Sequence, residues 1–198
     1  MQRRTPRPLG LALALAVAMS GCQSTRISAS APTHTSAPNV SVASTPASTP
    51  SEAMAAGFKV SDVQEAERVY RKFITTYWLL SANGSSPNES EALLTLTDPP
   101  FKPSVEAALK FQREEGIIVT QGQGSVIFVR PAIAKEVLDS IVALDVCTDE
   151  RKLLLRRADG RTKWGLVHRE IAYFHRSPEG SLKYFANQIR EDTAECLN

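Results

Sequence analysis

VLDSIVALDVC, residues 137–147, is the stretch that sets the fold. Leu138, Ser140, Val142, Leu144 and Val146 fall on one face of an extended chain. Asp139, Ile141, Ala143, Asp145 and Cys147 fall on the other. Successive side chains of a strand point to opposite faces, so this period of two predicts a long strand with its more apolar face on a core. Asp139 and Asp145 are accordingly expected in solvent rather than at a catalytic centre.

The stretches around it extend the same reading. Gly116–Thr120 and Ser125–Val129 are predicted strands on either side of Gln121-Gly122-Gln123-Gly124, and Pro131, with no N–H to give, places the second at an edge or a bulge. Leu153–Leu155 follows a loop at Thr148-Asp149-Glu150. Asp159-Gly160 is a hairpin signal. Trp164–Phe174 reads as another long strand, Ser177-Pro178-Glu179-Gly180 turns it, and Leu182–Ile189 closes the sheet. Upstream the period changes to that of a helix. Val63, Ala66, Val69, Tyr70, Phe73, Ile74, Tyr77 and Trp78 form one broad apolar face after a capping box at Ser61 and Gln64, and Asn83-Gly84 ends it. Ser86-Pro87-Asn88-Glu89 starts a short second helix bearing Leu93, Leu94 and Leu96. A third is predicted over Ser104–Glu115. Helices first and then an antiparallel meander give an α+β domain, with three helices packed on one face of a curved sheet.

This domain spans residues 58–198, about 140 residues, a usual size for a single core. Residues 22–57 differ in kind: after Cys22 they are mostly Ser, Thr, Ala and Pro, with Arg26, His34 and Glu52 the ionisable side chains. So little large apolar surface does not offset the entropy of ordering, and a disordered tether spanning on the order of 30 Å is expected. Residues 1–21 read as an export signal. Arg3, Arg4 and Arg7 precede the apolar run Leu9–Met19, which is about half of the ~20 residues a spanning helix needs. Met19-Ser20-Gly21-Cys22 resembles the lipobox of bacterial lipoproteins, with Met19 where leucine is more usual. That resemblance implies a diacylglyceryl group on the Cys22 thiol and an anchor on the extracytoplasmic face of a cell membrane. Loss of three arginines with the signal takes the formal charge from +2 to −1. A near-neutral exported chain offers no electrostatic case for nucleic acid.

Two cysteines remain, Cys147 and Cys196. In an oxidising compartment such a pair in a small domain is expected to be bonded, closing a loop of about 50 residues worth roughly 4 kcal/mol.

The segment Leu144-Asp145-Val146-Cys147-Thr148-Asp149, the Asp159-Gly160 turn, Trp164 and Cys196 together resemble the nuclear transport factor 2-like (cystatin-like) lipoproteins of Gram-positive bacteria. The resemblance covers nearly all of 58–198 and implies a cone-shaped fold whose sheet wraps toward the first helix around a cavity. Fold alone does not choose among the isomerases, hydrolases and binding modules of that superfamily.

No motif supplies a catalytic centre, a cofactor site or a metal site. His34, His168 and His175 are scattered, and Gly122 and Gly124 read as a turn rather than a phosphate loop. His168 and Glu170 lie on one face with Trp164, Leu166, Ala172 and Phe174. Residues two apart on a face are about 7 Å from each other, too far to pair, so a surface or cross-strand polar role is expected. Arg151, Lys152, Arg156, Arg157, Arg161 and Lys163 cluster about one hairpin, read as a solvated edge guarded against strand pairing. The expectation is a lipid-anchored, non-enzymatic domain that binds a small ligand or a neighbouring envelope protein. The alternatives are a cone-cavity isomerase or hydrolase and a structural part of an envelope or secretion complex. An ionisable residue with a partner inside the cavity would favour the enzyme.

Overall fold

The computed structural model describes residues 49–132 and 140–197. Cys22, the 1–21 signal, most of the 22–57 tether and the start of the strand read from Val137, Asp139 included, lie outside these residues.

Four helices come first: α1 (Pro50–Ala55), α2 (Val60–Ala82), α3 (Pro87–Leu94) and α4 (Lys102–Glu114). The first arises inside the stretch expected to be tether. Thr49 and Glu52 cap it reciprocally, the Thr49 N–H donating to the Glu52 carboxylate at 2.7 Å and the Glu52 N–H to the Thr49 hydroxyl at 3.3 Å. Ala53 is buried against the core. Helix α2 starts before the expected Ser61: Lys59 is its N-cap, and no side chain caps it. Ser86 does precede α3 with Pro87 at its start, again without a side-chain cap bond.

Strands β1 (Ile118–Gln121), β2 (Ser125–Pro131), β3 (Val142–Asp149), β4 (Leu154–Arg156), β5 (Thr162–Trp164), β6 (Val167–Arg176) and β7 (Leu182–Arg190) follow, and a 3-10 turn, Ala194–Cys196, ends the chain. All strand pairs are antiparallel. They form two sheets rather than the one expected, β2-β3-β6-β7 and β1-β4-β5. Pro131 ends the edge strand β2, as its missing donor requires.

The predicted strand Trp164–Phe174 is two strands. At Gly165 the chain crosses between sheets: its N–H reaches the carbonyl of Leu153, and the Glu150 N–H reaches that of Leu166. A Cβ at 165 would collide with the Glu150 carbonyl, so only glycine fits the crossing. Gly122, at φ +97, does the same where the chain passes from β1 in the small sheet to β2 in the large one, since a Cβ there would collide with the Lys152 carbonyl.

Val142, Leu144 and Val146 of β3, Ala172 and Phe174 of β6 and Tyr184 of β7 pack with Tyr70, Phe73, Ile74, Trp78, Leu93 and Leu109 of the helices in one core. Tyr184 is its hub, 4.8–5.9 Å from the rings of Phe101, Phe73, Phe174 and Tyr70. Ala132, Ala143, Ile171 and Tyr173 form a second cluster on the opposite face. The division of faces read from residues 142–147 is the one observed. No helix among the described residues is long and apolar enough to cross a membrane.

Candidate functional site

The polar side chains on the helix-facing side of the large sheet gather toward one end. Register places Glu170 opposite Val146 and Ile189, and His168 opposite Thr148. Glu170 is partly exposed and engaged by three donors. The hydroxyls of Tyr70 and Tyr184 donate to its Oε1 at 2.8 and 3.0 Å, and the Asn187 amide donates to its Oε2 at 2.6 Å. It therefore has a cross-strand role, as expected, but faces the helices rather than the surface. Burial, and then the Glu170 charge, push the Tyr70 and Tyr184 hydroxyls well above the usual tyrosine value, so both stay protonated as donors.

Glu150 continues the pattern outward. Its Oε1 accepts from Trp78 Nε1 at 2.7 Å, and its Oε2 lies 3.5 Å from His168 Nε2. Tyr70 and Trp78 are eight residues apart on α2, about 12 Å along its axis, so one helix face holds both carboxylates in place. The hydrogen bond to Glu150 raises the His168 pKa against the opposing effect of burial. His168 and Glu170 do not pair, in keeping with their spacing. Tyr77 of the same helix turns toward α4, where its hydroxyl accepts from Gln112 Nε2 at 2.7 Å and is pushed up by burial and then by Glu150. Leu166 (53 % exposed) and Ile189 (57 % exposed) leave apolar surface open on β6's approach and on β7, with Trp164 (51 % exposed) just before the crossing.

Asn187 has one feature the others lack. Its amide nitrogen is committed to Glu170, and its Oδ1 is buried with no hydrogen-bond partner.

On the opposite face Asp145 is buried, not solvated as the alternation suggested. It accepts from Arg169 Nε and Nη2 at 2.9 and 2.8 Å and from Arg130 at 3.0 and 2.8 Å. Glu195 reaches both arginines, at 3.1 Å from Arg169 and 2.5 Å from Arg130, and Asp192 reaches Arg169 at 3.3 Å. Burial pulls the Asp145 carboxyl up, but its hydrogen bonds to Arg169 and Arg130 outweigh this and hold it below the usual range. The Cys147 and Cys196 sulfurs meet at disulfide distance beside this cluster, Cα atoms 5.9 Å apart. Every group here is neutralised within the protein, so this face is a clamp on the C-terminal segment.

His175 sits apart, 2.7 Å from Asp98 and stacked on Phe185. In the hairpin, Arg151 pairs with Asp149, Arg161 with Asp159 and Arg157 with Glu115. Half of the basic cluster is thus balanced locally. Among the described residues no group of three or more His, Cys, Asp or Glu could hold a metal ion.

No family model matches the chain, and no curated protein does. Function therefore rests on the site.

The sequence reading named His168 and Glu170 but missed Glu150, Tyr70, Trp78 and Asn187. Glu150 was legible: it continues the alternation Val142, Leu144, Val146, Thr148 by one step. Asn187 was not, because an extra residue, Phe185, breaks the alternation of β7 and brings Tyr184 and Asn187, three apart, to the same face.

Proposed function

We propose that the chain is an extracytoplasmic lipoprotein, held to a cell membrane by a lipid on Cys22 and a Ser/Thr/Ala/Pro-rich tether. In this reading its domain is a non-enzymatic binding module of the cone-shaped, nuclear transport factor 2-like kind, and a small ligand docks at the end of the sheet where Glu150, His168 and Glu170 gather. The observation that carries it is the state of Glu170. Three donors fix the carboxylate in one orientation and fill most of its lone pairs, which suits recognition and hinders proton abstraction. Exposed Ile189 opposite Glu170 and Leu166 against the Glu150 backbone supply the apolar contact that small-ligand sites combine with a few fixed polar groups.

The test is native mass spectrometry of the full-length protein extracted from its membrane. A small-molecule adduct that is lost in Leu166→Asp and Ile189→Asp variants is expected. A bare chain in every preparation contradicts the reading.

A second reading has one observation in its favour. The His168–Glu150 pair is partly exposed and could relay a proton, as an isomerase or hydrolase would require. Turnover of a simple ester such as p-nitrophenyl butyrate, abolished in His168→Gln, would favour it over the binding module.

A further inference from the structure

The donor and acceptor inventory at this end of the sheet says what kind of group fits there. The donors that reach the two carboxylates are committed to them. The Tyr70 and Tyr184 protons point at Glu170, the Asn187 amide nitrogen at its other oxygen, Trp78 Nε1 at Glu150, and His168 lies against Glu150. One buried acceptor is left over. Asn187 cannot turn its amide to help itself, since that would set its carbonyl against a carboxylate. Its Oδ1 is therefore fixed as an acceptor, buried and unpartnered. Buried carbonyl oxygens without a donor are rare and costly, and one on a partly open polar cluster points to a missing partner. The charges add a sign: Glu150 and Glu170 face this end, with His168 beside Glu150 and Lys163 near enough to act on that imidazole.

We infer that the missing partner is a ligand N–H, and that the ligand carries a primary amine in its ammonium form. Its nitrogen is received by Asn187 Oδ1 with Glu170 behind it, while its apolar part lies toward Leu166 and Ile189. An ammonium brings donors to the unpartnered Oδ1, and its charge is opposite to that of the two carboxylates. A carboxylate ligand would meet their repulsion and could not donate to Oδ1. This inference rests on the binding-module reading and adds the chemical class.

Three probes of one shape separate the possibilities: phenethylammonium, 2-phenylethanol and 3-phenylpropionate, titrated into the full-length protein in detergent and followed by the resonances of Asn187, Leu166, His168 and Ile189, the last three alone serving in the Asn187→Leu variant. Phenethylammonium is expected to move them at least about tenfold more tightly than 3-phenylpropionate, the worth of one charge-assisted hydrogen bond. Asn187→Leu should lose that preference. Glu170→Gln should reverse it. The new amide would keep accepting from the tyrosines while donating toward residue 187, turning the Asn187 nitrogen outward as a donor for the carboxylate probe. If all three probes shift Leu166, His168 and Ile189 with equal affinity, the binding module stands and the amine assignment falls. If no probe shifts any residue at this end, both fall and Oδ1 holds only water. Circular dichroism and thermal melts show whether each variant is folded, and the Glu170→Gln reversal is a gain that misfolding does not imitate.

Discussion

Tyr70 of α2 and Tyr184 of β7 give their hydroxyl protons to one and the same oxygen, Glu170 Oε1, at 2.8 and 3.0 Å. Helix and sheet are thereby joined through a single, partly exposed carboxylate at the edge of the aromatic core. Removing either hydroxyl withdraws a hydrogen bond from a charged acceptor. Tyr70→Phe and Tyr184→Phe are each expected to lower stability by about 1.5–3 kcal/mol in urea unfolding. The double variant should cost more than the sum, since in each single variant the remaining phenol still serves the same oxygen and in the double neither does.

Asp145 is the corresponding hinge of the opposite face. With Arg169 buried beside it, Asp145→Asn leaves a guanidinium short of its main counter-charge, although Glu195 and Asp192 still reach it. A loss of about 2–4 kcal/mol is expected, near the lower part of the range for breaking a buried pair. The acid limb changes too. The folded carboxyl titrates below its unfolded value of about 3.9, so its contribution is present above that pH and lost as pH falls through the lower, folded value. Melting temperatures taken between pH 5 and 2 should fall more shallowly in Asp145→Asn than in the native protein.

His168 has the opposite sign. Its folded pKa is raised, so the pair with Glu150 stabilises most below the unfolded imidazole value of about 6.5 and is lost as pH rises through the folded value. His168→Gln should remove that slope from stability measured between pH 6 and 8. An unchanged slope would show that the pair does not form.

The staple between Cys147 and Cys196 spans 49 residues of sequence. Its reduction is expected to cost about 4 kcal/mol on the loop-entropy account, and to free the segment carrying Asp192 and Glu195. Hydrogen exchange at residues 191–197 should quicken on reduction, and that at β6 next to Arg169 should follow.

A Cys22→Ser variant should leave the membrane fraction and appear as free protein. Retention on the membrane would remove the lipid anchor from the account.

Patterns of side-chain period carried the α+β class, the three principal helices and the strand faces, because burial imposes those periods directly. Long-range geometry was less legible. The alternation at 142–147 marks which side of β3 meets the core, but it says nothing of Arg130 and Arg169 arriving from neighbouring strands, and so Asp145 read as solvated. Gly165 is the residue that splits one apparent strand between two sheets, yet its requirement comes from the Glu150 carbonyl, fifteen positions away in sequence. Thr49 and Glu52 are a local case: they cap a helix within a stretch whose composition reads as tether. The site itself divides the same way, with Glu150 readable from period and Asn187 hidden by the extra residue in β7.

The most direct test of the binding site is a crystal structure of the protein taken from its native membrane and read at Asn187. An organic ligand with a nitrogen about 3 Å from Oδ1, its apolar part toward Leu166 and Ile189, is the predicted result. A lone water on Oδ1, or a protein donor already satisfying it, with the end of the sheet otherwise closed, would contradict the account.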